Sequence, residues 1–463
     1  MWTVLGLLFL TSGLIYTFRE IRVIKRANDL LIISFVRLLY ACSCGYFAAM
    51  VCFLYSFYGI QLHLSSLVIL NYSDSTLYNF FVFWMLSVIG YLFLSIGYRI
   101  VGNYKIVLTK KKLLKNDEMS DNLILLTAII CIVIGYVAIY IWTSDMGGVA
   151  NYIKYASAIR GDYENVFGNY HMGWRKFAKI LPPSTFMTFF LLLKNKGRLM
   201  RYWIVFVISI IGTFTYLICN DGRLTTAMFF IILIVGFFRY GDRRNKNIRK
   251  QFIVFAIVLF LAFLLLANLN DISYFIRTGT FASQKSDNEN NSAFMTLMSE
   301  FTYIYKSGVT AVENCFQNNR LMIVDDIVFG IKAFVPGTGF LGNATQVSLY
   351  NTILCTGDVN SLAGAIPCDI IALSLYDLRF IGPFLVPFLV GCVIKLIENH
   401  FTNKKNNPLS QTFYYGLALV FIRLVTYCEV YDFLNSIFPY ILMLIVSFMV
   451  KLMGNILSRR SSV

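Results

Sequence analysis

Apolar runs of about twenty residues recur along most of this chain, and they restrict the folds that are open to it. A helix rises about 1.5 Å per residue, so about twenty apolar residues cross the hydrocarbon core of a bilayer. Of the 463 residues, 58% are hydrophobic and 14% are charged, whereas soluble domains carry about 25% charged residues. We therefore predict an all-α integral membrane protein rather than a β-barrel, whose strands give shorter runs of alternating polarity.

The apolar runs predict about 11 transmembrane helices, within a range of 10 to 12. Arg37 interrupts the beginning of the second run, so we place that crossing nearer 38–59 and the residues before it along the interface. The predicted spans are 2–18, 38–59, 79–98, 122–142, 178–193, 202–219, 224–238, 251–267, 380–397, 411–428 and 433–450.

Lysines and arginines are shared unevenly between the two sets of connecting segments. One set carries 26 of them and the other carries 12, although the second set is longer. Cytoplasmic loops of membrane proteins carry the excess of positive charge, so the set with 26 is placed in the cytoplasm. The N-terminus then faces outward and the C-terminus is cytoplasmic. The net charge of +16 is accordingly a topology signal, and we predict no nucleic-acid partner.

Two polar insertions interrupt the spans on the predicted outer side, at 143–178 and 268–379. The second is rich in aromatic residues and Gly/Pro turns, which predicts a folded cap over a polar cavity. Within it, 361–376 is apolar but contains Pro367 and Asp369, and we predict a re-entrant or surface-lying helix there. The predicted parts are an N-terminal bundle of eight spans, 1–267, the large outward loop, 268–379, and three C-terminal spans, 380–463.

Motifs of soluble enzymes are absent from the sequence. It has no phosphate-binding loop, no dinucleotide fingerprint and no DxD, and its three histidines lack metal-ligand spacing. The ten cysteines show no CxxC spacing, so we predict no metal site and no cofactor. Cys315, Cys355 and Cys368 lie in the large loop, and the sequence does not decide whether two of them form a disulfide bond.

Arginines on the predicted outer side are the main chemical signal, because that face is normally depleted in them. A guanidinium binds phosphate through two parallel hydrogen bonds and stays charged in a partly apolar site. We expect the anion to be a pyrophosphate attached to a lipid. The candidates are Arg160 and Arg175 in the first insertion, Arg223 at a tight turn, Arg277 after the eighth span, and Arg423 near the outer end of a span.

These residues also have structural interpretations. An external arginine is often a solvated charge or a headgroup contact, and Asp221 is placed to neutralise Arg223. Arg423 is an intramembrane charge, which marks a functional candidate, but Glu429 is placed to pair with it. His171 is open to interpretation as an ordinary loop residue, and Tyr303 as part of the core of the cap rather than a platform for a sugar.

Four local stretches can be compared with a known family. They are Gly147-Gly148 followed by the Arg160 loop, the turn Asn220-Asp221-Gly222-Arg223, the stretch 274–279, and the end of the large loop with LRFIGPFLVPFLVGCVIKLIENH. In these stretches, and in the order of its spans and loops, the chain resembles the Wzy-type O-antigen polymerases, also called oligosaccharide repeat unit polymerases. It departs from their commoner pattern because Asp-Gly precedes Arg223 where a flanking serine is usual. The alignment of Arg223 with the arginine of that pattern therefore stays open.

The resemblance implies a glycosyltransferase with a GT-C-like fold in the bacterial inner membrane and its large loop in the periplasm. A growing glycan on undecaprenyl pyrophosphate would be the donor, and one repeat unit on the same carrier the acceptor. Membrane lipids and a chain-length regulator protein are the other implied partners. The implied catalytic residues are Arg223 and Arg277 for the pyrophosphate and Glu429, Asp221 or Glu300 as base; the implied substrate-binding residues are Arg160, Arg175, Arg423, His171 and Tyr303.

Three other functions stay open. An O-antigen ligase would be expected to carry a histidine in the large outer loop, and 268–379 contains none. A polysaccharide transporter or flippase predicts internal repeats and polar residues at the midplane, whereas the polar residues here gather at the predicted outer face. A structural scaffold within an export complex predicts that changes at Arg223 or Arg277 leave activity intact.

Overall fold

The structure is a computed structural model of the chain. It describes residues 1–27, 31–58, 74–103, 119–153, 171, 173–195, 200–220, 223–240, 293–335, 342–356, 366–401 and 407–460. Every regular element in these ranges is a helix. This agrees with the long apolar runs, because a helix satisfies its backbone N–H and C=O groups within one segment, as the interior of a bilayer requires.

Sixteen α-helices are described, with one π-helical turn and one 3₁₀ turn between them. In chain order they are α1 Trp2–Ala27, α2 Ile32–Ala41, the π-helical turn Cys42–Phe47, α3 Ala48–Tyr58, α4 Asp74–Asn103, α5 Asp121–Ser144, α6 Trp174–Ala178, α7 Leu181–Lys194, α8 Met200–Asn220, α9 Arg223–Tyr240, α10 Ala293–Gln317, α11 Ile323–Phe334, α12 Val347–Thr356, α13 Ile370–Leu378, the 3₁₀ turn Arg379–Ile381, α14 Gly382–Phe401, α15 Pro408–Leu424 and α16 Val430–Arg460.

Seven helical stretches in the described ranges are long and apolar enough to cross a membrane. They are α1, α2 with α3, α4, α5, α8, α13 with α14, and α16. The predicted spans at 178–193, 224–238 and 411–428 are also helical, in α7, α9 and α15, while 251–267 lies outside the described residues. The chain is therefore an all-α protein with several helices suited to crossing a membrane, and the count of eleven stays a prediction.

The chain forms two compact units. Unit 1 comprises Met1–Val107, Asn291–His400 and Val420–Ser436, and unit 2 comprises Leu108–Asn290, Phe401–Leu419 and Ile437–Val463. The break between α15 and α16 belongs to unit 1. The described part of the large loop, with α10, α11, α12 and α13, belongs to unit 1 as well.

In unit 1, α1 packs closely on the π-helical turn between α2 and α3. A Cβ atom built on Gly45 would lie 2.6 Å from the Cα atom of Gly13. Only a residue without a side chain fits this approach, and small residues at helix contacts are what let membrane helices pack tightly where hydrophobic burial no longer drives them together. The pair of glycines therefore sets how close α1 lies to this turn.

The apolar segment 361–376 is described from residue 366 onward. Its helix, α13, has nine residues, which span about 14 Å, or about half of the hydrocarbon core. Residues Ile370 to Asp377 are all buried. Arg379 then adopts a left-handed backbone conformation with φ of 54°, and a Cβ atom on Gly382 would lie 1.8 Å from the carbonyl oxygen of Ser374. The chain therefore bends sharply between α13 and α14 instead of continuing as one helix.

In unit 2, buried hydroxyl pairs join α7 to α8. The side-chain oxygens of Thr185 and Thr213 lie 2.8 Å apart, and those of Thr188 and Ser209 lie 3.0 Å apart. All four side chains are fully buried. Hydrogen bonds of this kind between membrane helices contribute about 0.6 kcal/mol each, and here they fix the register of two otherwise apolar helices.

Candidate functional site

Four of the predicted site residues have described side chains, namely Arg175, His171, Arg423 and Glu429. Three others lie on helices, with Arg223 at the beginning of α9 and Glu300 and Tyr303 in α10, but their side chains are not described. Arg160, Asp221 and Arg277 lie outside the described residues. The roles assigned to these six residues therefore stay predictions.

Arg423 lies in the last turn of α15, at the break between α15 and α16. Its guanidinium nitrogen is 3.2 Å from the carboxylate of Asp432, and its carbon Cζ lies 5.1 Å from the centre of the Tyr427 ring. The sequence left a structural pair with Glu429 open, and the structure pairs Arg423 with Asp432 instead. About a third of the Arg423 side chain, 34%, is exposed, so the guanidinium is held in place and is also open to a ligand.

Glu429, just before α16, is buried, with 2% of its surface exposed. Its carboxylate accepts hydrogen bonds from the backbone nitrogen of Ser348 and from Nε2 of Gln346 at 3.1 Å. The pKa of Glu429 is raised to about 7 by burial first and by the charge of Asp432 second, against the two hydrogen bonds, which lower it. Glu429 therefore ties the beginning of α12 to the break between α15 and α16.

Asp326 of α11 faces the same break and was not singled out from the sequence. Both of its carboxylate oxygens lie 3.2 Å from the backbone nitrogen of Val430, the first residue of α16. Burial, followed by the charge of Asp377, raises the pKa of Asp326 to about 7. A carboxylate at this position satisfies an N–H group that has no partner within its own helix, so α11 caps α16.

Asp325 and Asp326 are neighbours in sequence with different surroundings. Asp325 pairs with Arg320 at 2.9 Å, and about half of the Arg320 side chain is exposed. Successive residues on a helix point about 100° apart, so one of two adjacent aspartates can face solvent while the other faces the core. Nothing in the sequence set Asp326 apart from Asp325.

A buried polar network joins α10, α12 and α13. Asn351 is fully buried and donates from Nδ2 to Ser307 Oγ at 2.9 Å and to the Ile366 carbonyl at 3.0 Å. Its Oδ1 accepts from the Tyr376 hydroxyl at 2.9 Å. Asp369 caps the first turn of α13 by accepting from the backbone nitrogens of Ile371 and Ala372. These bonds hold the described part of the large loop as one packed body.

In unit 2, Asp145 holds His171 at two points. One carboxylate oxygen lies 2.5 Å from His171 Nδ1, and the other accepts from the His171 backbone nitrogen at 2.9 Å. Asp145 follows the last residue of α5 directly. The side chain of His171 is 44% exposed and that of Asp145 is 11% exposed. The histidine is thus fixed in orientation and open on one side.

Arg175 lies four residues beyond His171 in the sequence. Its Cζ atom lies 5.8 Å from the centre of the ring of Trp142. Trp142 lies in the last turn of α5. Trp142 is 1% exposed, packs edge-on against Tyr152, and has an indole N–H with no acceptor among the described residues. Arg175 and His171 therefore each contact the end of α5, through Trp142 and Asp145 respectively.

A second buried ion pair lies elsewhere in unit 1. Arg37 of α2 is 3.2 Å from Glu20 of α1, and the two side chains are 4% and 0% exposed. The Tyr91 hydroxyl donates to the same Glu20 oxygen at 3.1 Å. Arg37 was expected to mark a segment along the interface, and the structure instead buries it between helices. Charges inside a membrane bundle are normally paired in this way.

No group of three or more His, Cys, Asp or Glu side chains is arranged to hold a metal ion within the described part of the chain. All ten cysteines are described and all are free thiols, including the three in the large loop for which a disulfide was left open.

Comparison with models of protein families, with curated proteins and with solved structures gave no match to this chain.

Proposed function

We propose that this protein joins lipid-linked oligosaccharide repeat units into a longer glycan, with undecaprenyl pyrophosphate as the leaving group. One observation carries the proposal. In each unit, an arginine lies over an aromatic ring at the end of an apolar helix, Arg175 over Trp142 and Arg423 over Tyr427. The charge distribution of the sequence predicts that both helix ends face outward.

An arginine held over a ring is suited to binding a pyrophosphate. The ring occupies one face of the guanidinium through a cation–π contact. The N–H groups lie in the plane of the guanidinium, and two of them match two phosphate oxygens. In a site shielded from bulk water, such a fixed cation stabilises the charge that develops on the leaving group.

Two such arginines suit a reaction between two lipid-linked substrates. The donor and the acceptor of a polymerase both carry a pyrophosphate, so each needs a cation. Arg423, paired with Asp432, and Arg175, over the Trp142 ring, are the two candidates with described side chains. Further cations for these substrates would come from Arg223, Arg277 and Arg160.

The proposal places the protein in the bacterial inner membrane, with a GT-C-like fold, the large loop in the periplasm and the C-terminus in the cytoplasm. The helices that suit a membrane support this, and so does the uneven charge of the loops. Membrane lipids surround the chain, and a chain-length regulator protein is the partner implied by the resemblance.

The test uses full-length protein in lipid nanodiscs, supplied with lipid-linked repeat units extracted from a strain that lacks this protein. Products with two or more repeats on one lipid are counted by mass spectrometry. Arg423→Ala and Arg175→Ala are each expected to lower the rate by about 100-fold or more, because a preorganised cation contributes that much to transferase rates.

Arg201→Ala is the matched control. Arg201 lies over the Tyr202 ring at 5.0 Å, as the other two arginines do, but its loop is predicted to be cytoplasmic. We expect the Arg201 variant to polymerise at the rate of the unchanged protein. Absence of any product with the unchanged protein would overturn the proposal, and so would full rates in both Arg423 and Arg175 variants. With lipid A core added as a second acceptor, transfer only to that core would indicate a ligase.

A further inference from the structure

The pairing of Asp145 with His171 fixes which nitrogen of the imidazole carries a proton. An ionised carboxylate only accepts hydrogen bonds, so Nδ1 at 2.5 Å from Asp145 must be the donor. In the neutral ring, Nε2 is then the nitrogen with a free lone pair. The second bond, from the His171 backbone nitrogen to the other carboxylate oxygen at 2.9 Å, fixes the position of the residue as well as its tautomer.

This arrangement has the parts of a catalytic base. A base needs a lone pair that a substrate can reach and a partner that stabilises the ring once it is protonated. His171 is 44% exposed, and Asp145 is 11% exposed and lies behind it.

Two buried carboxylates are less suited to this role, namely Glu429, which the sequence analysis named as a base, and Asp326, which it did not. Glu429 is 2% exposed and accepts hydrogen bonds from Ser348 and Gln346. Asp326 is also 2% exposed and binds the Val430 backbone nitrogen. Both are occupied by the protein itself, and an acceptor sugar would have to displace those bonds to reach them.

We propose that His171, oriented by Asp145, is the general base that deprotonates the acceptor hydroxyl. The inference rests on the proposed polymerase function. Nε2 takes the proton from the hydroxyl as its oxygen forms a bond to the anomeric carbon of the donor sugar. The bond from that carbon to the pyrophosphate oxygen breaks, and its electron pair leaves with undecaprenyl pyrophosphate. The imidazolium then gives its proton to solvent.

The experiment measures initial rates of glycan extension by the full-length protein in nanodiscs, with the lipid-linked repeat units extracted from the strain that lacks it. His171→Gln is expected to lower kcat by about 100-fold or more with little change in KM, since general base catalysis contributes about 10²–10⁴-fold. Asp145→Asn is expected to lower kcat as well, because it removes the charge that sets the tautomer. His400→Gln, at the exposed end of α14, is the matched control and should keep the rate of the unchanged protein.

Rescue by free imidazole distinguishes a catalytic base from a residue with a structural role only. His171→Ala opens a space at an exposed position, so added imidazole should restore part of the rate, and it should not do so for Arg423→Ala. The assignment of the base would be overturned if His171→Gln kept a rate within about two-fold of the unchanged protein while Arg423→Ala was inactive. That result would leave the polymerase proposal intact. A loss in His171→Ala without rescue would assign His171 a structural role. If the unchanged protein makes no glycan, both proposals fail.

Discussion

Both carboxylate oxygens of Asp326 lie 3.2 Å from the backbone nitrogen of Val430. This contact joins α11, in the large loop, to the first residue of α16, and it lies a few residues from Arg423. The break that carries Arg423 is therefore shaped by residues more than a hundred positions earlier in the chain.

The first prediction concerns pH and stability. Burial raises the pKa of Asp326 and of Glu429 to about 7, above the ordinary values of about 4 in an unfolded chain. The folded protein therefore holds these protons more tightly than the unfolded chain does. The contribution of these two groups to the stability of the fold is therefore greatest below about pH 4, and it is lost as the pH rises toward about 7. The melting temperature in detergent should fall between pH 5 and pH 8.

Asp326→Asn should reduce this fall, because asparagine still accepts from Val430 but does not titrate. Asp325→Asn is the control, since Asp325 pairs with the exposed Arg320. The same slope in Asp326→Asn and in the unchanged protein would contradict the assignment of the pH dependence to Asp326.

The second prediction concerns the contact between α11 and α16. A Cβ atom on Gly330 would lie 2.7 Å from Val430 Cγ1 and 3.0 Å from the Tyr431 backbone nitrogen. Gly330→Val should therefore destabilise the protein by about 1–3 kcal/mol, as overpacking does in tight interiors. Thermal unfolding in detergent measures this. Gly173→Ala is the control, because nothing lies within 4 Å of its Cβ position, and an equal melting temperature for both variants would show that α11 does not pack here.

The third prediction concerns the network around Asn351. Asn351→Leu leaves the Tyr376 hydroxyl without its acceptor and Ser307 Oγ and the Ile366 carbonyl without a donor. Each buried group left without a partner costs about 1–3 kcal/mol, so the described part of the large loop should unfold locally. Limited proteolysis should cut between residues 293 and 378 in this variant. Gln317→Ala, an exposed change on α10, should leave the pattern of fragments unchanged.

The fourth prediction separates charge from geometry at Arg423. Lysine keeps the positive charge but lacks the planar pair of donors that binds two phosphate oxygens. Arg423→Lys should therefore extend glycan at a small fraction of the rate of the unchanged protein, close to Arg423→Ala. Initial rates with extracted lipid-linked repeat units decide this. A full rate for Arg423→Lys would show that the site requires only charge, and the two-oxygen binding would be wrong.

The helices of this protein were largely predictable from the sequence. A long apolar run by itself indicates a helix. Helices are described at ten of the eleven predicted spans, and the remaining one, 251–267, lies outside the described residues. The sequence separated the segment 361–376 from the span 380–397, but the backbone conformation of the break at Arg379 was not predicted. It depends on a left-handed residue and on the approach of Gly382 to Ser374, which local composition does not encode.

The candidate sites were predictable only in part. Arg175 and Arg423 stood out because arginine is unusual on an outer face. The pairing of His171 with Asp145, and of Asp326 with Val430, joins residues 26 and 104 positions apart. Such pairs depend on how the helices pack, and a single sequence gives no direct sign of it. Asp326 in particular looked the same as Asp325 beside it.

The most direct test of the polymerase proposal is the surface glycan of a strain from which this gene has been deleted, separated by gel electrophoresis. We predict that the ladder of repeats disappears and that a single repeat unit remains on lipid A core, because the ligation step still works without polymerisation. An unchanged ladder would contradict the proposal. Complete loss of attached glycan would contradict it too, and would indicate a ligase or a flippase.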